Sequence, residues 1–314
     1  MTKKDFGELH IPVLFNELVE SIAIFNERVN VIVDCTLWMA GHASEIIKKM
    51  NSGDTFIWFD ADIENLVMAE ERIKWLWRDD INIILINSNY LNIKSELMAR
   101  GIESVTAVYY DLWISSLHVD DATRWFSFKQ EGPLDMRFDR TSWITARKVL
   151  ESYNREDLAR IFKEYWEESY HNKIASEIVD ARRKWYKFET TTNLSDFLHS
   201  IHPNVKLKTK IFQALRIEVN SELKNLEKSI EDSIKMIEKN GRLFIISFHS
   251  LEDRIVKNIF KRESRGCLCS DVICSCKHER SLKILTKKPI TPTDEEVASN
   301  SRSRSAKARL AEKI

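Results

Sequence analysis

Three aspartates end strand-like runs, and four cysteines cluster near the C-terminus; these residues have the type and spacing to do chemistry. Asp34 falls in VNVIVDCT (Val29–Thr36), Asp60 in TFIWFDAD (Thr55–Asp62), and Asp111 closes VTAVYYD, which starts at Val105. A loop from Cys35 to His42 leads from the first run toward a helix. In an open parallel sheet, ligands lie outside the carboxyl ends of the strands, and an acid about 20 residues past the first loop can bind ribose hydroxyls. Asp60 follows Trp38 at about that spacing. The cysteines Cys267, Cys269, Cys274 and Cys276 read C-x-C-x4-C-x-C, with His278 close by. Paired thiolates of zinc sites are usually separated by two to four residues. The expectation is therefore a reduced loop with no metal; a metal site is the alternative that metal analysis would reveal.

The elements that position these residues follow from periodicity. Strand-like runs at Val29–Thr36, Thr55–Asp62, from Ile81 (INIILINSNY) and from Val105 alternate with helical segments, one beginning near Ser44 and another running through Leu66, Ala69 and Ile73. Near-continuous apolar strands alternating with helices predict a parallel sheet covered on both faces. From about 131 to 207 no strand-like run appears, and helical texture dominates, as in Leu158, Ile161 and Phe162 at i, i+3, i+4. The expected organisation is an α/β domain formed by 1–130 and 208–314, interrupted by an all-helical insertion, 131–207. Phe212–Lys239 reads as one long helix stopping at Asn240-Gly241, both of which tolerate a left-handed cap. GRLFIISF (Gly241–Phe248) returns to a core strand.

Forty-eight basic and 48 acidic side chains in 314 residues exclude a uniformly basic coat. The stretch from Arg254 nevertheless carries 15 Lys or Arg against 7 Asp or Glu, either a solvated face or an edge that contacts phosphates. No apolar run approaches the roughly 20 residues of a membrane span, and MTKKDFGELH lacks a signal-peptide core. Five cysteines do not make a secreted disulfide framework, so a reducing cytoplasm is expected.

Several separated strings then carry a resemblance: HIPVL (His10–Leu14), DCTLWMAGHAS (Asp34–Ser44), DLWISS (Asp111–Ser116), RWFSF (Arg124–Phe128), GPLDMRFD (Gly132–Asp139), FQALRIEVNSEL (Phe212–Leu223) and GRLFIISFHSLEDRIVK (Gly241–Lys257). KKPITPTDEE (Lys287–Glu296) and NSRSRSAKAR (Asn300–Arg309) extend them to the tail. Together they resemble the ribosomal RNA small-subunit methyltransferase H family, which methylates N4 of a cytidine in the decoding region of 16S rRNA. The resemblance implies a Rossmann-like methyltransferase sheet with S-adenosylmethionine as methyl donor and the small ribosomal subunit as partner. It places Ala40, Gly41 and His42 on the donor, Asp60 on its ribose, Tyr90 beside its adenine, and Asp111 and His118 next to it. Asp111, at the fourth strand's end, is the expected acceptor for the amine proton. Asp135 and Arg137, with His249, Glu252, Asp253 and Arg254, are the next candidates, for gripping a flipped nucleotide. For each of these a helix cap or a salt bridge is the structural alternative; for His42 it is a helix-start hydrogen bond. A methyltransferase acting on DNA or a small molecule is a further reading that the fold alone allows.

One ratio is abnormal. Tryptophan numbers 9 and glycine 7, leaving glycine at about 2% against a usual share of about 7%. Family-like sequences carry glycine in the first loop, where backbone must approach the donor, but here Trp38 and Ala40 precede Gly41. Trp113 and Trp125 also occupy glycine positions of the resemblance, and Trp58, Trp143, Trp166 and Trp185 fall where glycine would be common; Trp75 and Trp77 have no secure alignment. Two explanations compete. Either the indoles are genuine and Trp38 and Trp113 fill the donor cleft, leaving a catalytically silent RNA-binding assembly factor, or UGA codons meaning glycine were translated as tryptophan. The nine codons discriminate the two.

Overall fold

The computed structural model describes residues 12–36, 41–63, 65–67, 70, 78–113, 131–166, 170–269 and 275–314. The chain divides into two compact units, Met1–Trp113 with Lys224–Ile314, and Ile114–Leu223.

In the first unit the strands are β1 (Val31–Asp34), β2 (Thr55–Asp60), β3 (Asn82–Asn87), β4 (Val105–Asp111), β5 (Ile237–Ser247), β6 (Leu282–Ile284) and β7 (Lys307–Lys313). Among the described residues they form one sheet in the order β3-β2-β1-β4-β5-β7-β6. The first five run parallel, and β7 is antiparallel to β5 and β6. Strand order reverses between β1 and β4, where doubly wound sheets open a ligand crevice. The apolar runs are explained by burial on both faces. One face packs Ile32, Phe56, Trp58, Tyr109 and Phe244 against α1 (Phe15–Ser21) and α2 (Gly41–Lys49). The other packs Val33, Ile57, Val108 and Ile245 against α3 (Ile93–Ala99) and the later helices of this unit. Among the described residues, no helix is long and apolar enough to cross a membrane.

The second unit contains α4 (Ala146–Ser152), α5 (Arg155–Trp166), α6 (His171–Arg183), α7 (Thr191–Ile201) and α8 (Val205–Asn220). Leu158, Ile161 and Phe162, the expected helix face, are fully buried with Ile174, Ile178, Leu194 and Leu215. Thr190 and Asn193 form a reciprocal capping box at the start of α7.

The single long helix expected from Phe212 to Lys239 is instead two, α8 and α9 (Glu222–Met236). Ser221 between them has φ +50°, and the preceding Asn220 spends its amide on the Met136 and Arg216 carbonyls, at 2.8 and 3.0 Å. The helix also ends before Asn240, because Ile237 pairs with Val105 of β4. Asn240 does take a left-handed φ of 65°, but within a shift of strand register. A final helix pair, α10 (Ser250–Glu263) and α11 (Asp294–Ser299), completes the first unit.

Candidate active site

Strand register assembles the rim. Asp34, the last residue of β1, lies opposite Trp58 on β2 and Tyr109 on β4, so all three side chains share a face. Asp34 Oδ2 accepts hydrogen bonds from Trp58 Nε1 at 3.0 Å and from the Tyr109 hydroxyl at 2.7 Å; Oδ1 accepts from Thr36 N–H at 3.0 Å. Burial raises the Asp34 carboxyl to about 8, and these donors only partly offset it.

Asp111 ends β4 on the same face. Its amide donates to Thr36 Oγ1 at 2.7 Å, and its carboxyl is buried. Oδ2 lies 3.6 Å from His42 Nδ1, while Oδ1 is buried with no hydrogen-bond partner among the described residues. Burial raises the Asp111 carboxyl to about 7; the Trp113 backbone N–H works against that rise and the Glu252 charge adds to it. His42, buried in the first turn of α2, holds Nε2 2.9 Å from the Val13 carbonyl. A carbonyl only accepts, so Nε2 carries the proton and Nδ1 is the face turned to Asp111. Gly41 starts that helix; a Cβ there would collide with Pro12 Cγ, so no larger residue fits without displacing Pro12.

Asp60 ends β2, half-buried, and accepts from Asp62 N–H at 2.7 Å and Asn65 Nδ2 at 3.0 Å. Tyr90 opens a short 3-10 turn after β3, its ring half-buried and edge-on to Tyr110, with centroids 5.8 Å apart. Gly41, His42, Asp60, Tyr90 and Asp111 thus lie in one unit, at or just beyond the carboxyl ends of its first four strands. Ala40 and His118 lie outside the described residues.

The other candidates are engaged structurally. His249 caps α10: its Nδ1 accepts from Glu252 N–H at 3.4 Å, and Glu252 Oε2 returns to His249 N–H at 3.2 Å. Asp253 receives Arg309 in a two-pronged pair at 2.6 and 3.2 Å that ties α10 to β7. His249 and Asp253 thus make a helix cap and a salt bridge between elements. In the second unit, Arg137 forks onto Asp135, 2.7 Å to each oxygen, and also donates to the carbonyls of Arg140 and Ser142. Partial burial opposes ionisation of Asp135, but the guanidinium outweighs it and holds the carboxyl below its ordinary range. Met136, between them, is buried at φ +65°. Sequence reasoning missed the Trp58–Asp34–Tyr109 cluster, which only strand register brings together.

Known proteins identify the family. Residues 7–314 match the MraW methylase family. The chain belongs to that family. A relative from Clostridium botulinum (strain Loch Maree), named ribosomal RNA small subunit methyltransferase H, is 44% identical over 97% of this chain and 99% of its own length. Relatives of the same name from Clostridioides difficile and Finegoldia magna are 41% and 40% identical, each over 97% of this chain and 99% and 98% of their own. As a member of the MraW methylases, the chain is a methyltransferase with S-adenosylmethionine as its cosubstrate.

The tryptophans divide sharply within this family member. Trp58 is fully buried, edge-on to Phe56 with centroids 5.0 Å apart, and Trp113 packs on Phe248 at 4.7 Å. Trp143 and Trp185 are 72% and 88% exposed. Trp185 has φ +63° and follows α6 in a Schellman turn, with Trp185 N–H bonded to Arg182 O and Tyr186 N–H to Ala181 O, both at 3.0 Å. That position is ordinarily glycine, because a Cβ is strained there. Trp38, Trp75, Trp77, Trp125 and the side chain of Trp166 lie outside the described residues.

Proposed function

We propose that this methyltransferase modifies N4 of a cytidine in the decoding region of 16S rRNA, acting in the cytoplasm on the small ribosomal subunit. The carrying observation is Asp111, whose Oδ1 is buried at the crevice end of β4 with no hydrogen-bond partner among the described residues. The N4 lone pair of cytosine is delocalised into the ring, so the amine attacks poorly until it pyramidalises. A fixed acceptor on its N–H favours that geometry, and a carboxyl near 7 can be that acceptor at neutral pH. Asp111 holds the amine, His42 faces its second oxygen, and the surrounding apolar core keeps water from competing.

The residues suit the cosubstrate. When bound, S-adenosylmethionine supplies an electrophilic sulfonium methyl. Gly41 and His42 would line its loop side, Asp60 would receive its ribose hydroxyls and Tyr90 would flank its adenine, with Ala40 and His118 completing the set. RNA phosphates would meet the far edge of this unit, where Lys257, Lys261, Arg280, Lys283, Lys287 and Arg309 line a cleft of about 430 Å³ with no acidic lining residue among the described residues. The helical unit would bear on the splayed target strand. Asp135 and Arg137, locked to each other, would shape that unit's surface while leaving the reacting amine to Asp111.

A second reading, an RNA-binding assembly factor that ignores the donor, requires genuine indoles at Trp38 and Trp113; it is favoured by Trp113, two residues beyond Asp111, whose ring packs on Phe248. Methyl transfer from labelled S-adenosylmethionine into undermethylated small subunits tests the favoured reading. Methylation of naked DNA alone would replace it with a DNA methyltransferase, and RNA binding without transfer would select the second.

A further inference from the structure

The segment joining α10 to β6 brings three cysteines together away from the methyl-transfer rim. The Sγ atoms of Cys267, Cys269 and Cys276 all lie within 4.8 Å of one another, and those of Cys267 and Cys276 are 3.9 Å apart. A disulfide would require about 2.05 Å. Thiolates about 2.3 Å from a tetrahedral zinc ion sit about 3.8 Å from each other, so the observed pair already has the edge length of such a tetrahedron.

The main chain is arranged around the sulfurs. Leu268 N–H points to Cys276 Sγ, Cys269 N–H to Cys267 Sγ and Ser275 N–H to Cys269 Sγ, each at 3.4 Å. Amide donors of this kind orient thiolate ligands and offset their charge. The base of the segment is closed independently: Ser281 donates to Glu263 through its N–H at 2.9 Å and its hydroxyl at 2.7 Å.

The C-x-C pair Cys267 and Cys269 supplies two of these sulfurs despite its short spacing, because both lie within 4.8 Å of Cys276. Cys276 comes from the opposite limb of the segment, 3.9 Å from Cys267. Cys274 lies outside the described residues.

We propose that Cys267, Cys269 and Cys276 bind a zinc ion that clamps the connection between α10 and β6. The three soft sulfur ligands favour zinc over magnesium or calcium. The clamp's role is structural. It fixes the rim that carries Lys261 and Arg280, two residues of the basic cleft. The inference stands on the cysteine geometry and does not depend on which nucleotide is methylated.

The test uses the full chain, expressed with added zinc and purified under reducing conditions without a metal-affinity step. Elemental analysis should find on the order of one zinc per chain after dialysis, and cobalt(II) should replace it with a thiolate-to-cobalt charge-transfer band in the near ultraviolet. In Cys267→Ser/Cys276→Ser, retained zinc should fall by more than about tenfold and the cobalt band should disappear, while far-ultraviolet circular dichroism is unchanged. Cys269→Ser alone should shift the band, because one sulfur ligand is lost. A folded parent chain that retains no zinc and gives no cobalt–thiolate band would overturn the proposal. So would a double variant that holds zinc as tightly as the parent.

Discussion

Trp58 Nε1 and the Tyr109 hydroxyl both donate to one oxygen of Asp34, at 3.0 and 2.7 Å, from strands on either side of β1. That oxygen sits within a fully buried face of the sheet, and the resulting cost of ionisation makes the protein's stability depend on pH. Burial raises Asp34 to about 8 and Asp111 to about 7. The fold therefore favours their neutral forms. This contribution is complete below the unfolded carboxyl value of about 4 and is lost as pH rises through about 7 and 8. Urea denaturation between pH 5 and 9 should show Asp34→Asn gaining on the parent by up to about 1.4 kcal/mol per pH unit. A difference independent of pH would show that Asp34 is ionised in the fold throughout.

Asp111→Asn keeps the shape and removes the acceptor charge. Single-turnover methyl transfer should slow by about 10²- to 10⁴-fold, with donor affinity changed only a few-fold. The parent's rate should rise as pH passes about 7, where the carboxylate forms; the variant should lack that step. A variant with the parent's rate and pH profile would remove Asp111 from the chemistry.

Genuine indoles at Trp38 and Trp113 should hinder the donor. The chain carrying both should bind S-adenosylmethionine at least about tenfold more weakly than one with glycine at both positions, since an indole adds about 150 Å² or more in burial terms. Isothermal calorimetry reads this directly. Tight binding by the tryptophan form would discard both the blocked-cleft reading and the need for glycine there.

Trp185 offers a cleaner test of the glycine positions, because it is 88% exposed and makes its case through backbone alone. A left-handed residue with a Cβ costs roughly 1–2 kcal/mol. Trp185→Gly should therefore stabilise the second unit by about 1 kcal/mol, and Trp185→Ala should not. Equal gains from both variants in thermal melts would mean that the side chain, and not φ, is responsible.

Asp253 and Arg309 should behave as a structural pair. Either single alanine variant should lose about 2–3 kcal/mol, because a charge-assisted bond is broken and a partly buried charge is left behind. A double-mutant cycle should show strong coupling, with donor affinity unchanged. A drop in methyl transfer to RNA without a loss of stability would show that Asp253 acts on the nucleotide instead.

The strands, the switch from sheet to helical texture and the acids at the strand ends were legible because burial on two faces forces apolar runs, and chain direction puts their last residues at the rim. Asp60 and Asp111 could be named for that reason. The motif residues His249, Asp253, Asp135 and Arg137 could be singled out, but not their partners within the fold. The cap, the cross-element ion pair and the locked loop depend on which segments meet, and motif spacing does not state that. The break at Ser221 escaped because nothing in a continuous helical period marks one left-handed residue.

The amino-acid sequence by itself determined the sheet, the family and the abnormal ratio of tryptophan to glycine, since these are properties of composition, period and motif order. Tertiary structure alone decided that Trp58 and Tyr109 converge on Asp34, that Asp111 keeps one buried oxygen without a hydrogen-bond partner among the described residues, and that cysteines nine positions apart meet at 3.9 Å. Each depends on how segments distant along the chain or on neighbouring strands come together. Strand register and loop closure set such contacts, and neither is written in local spacing.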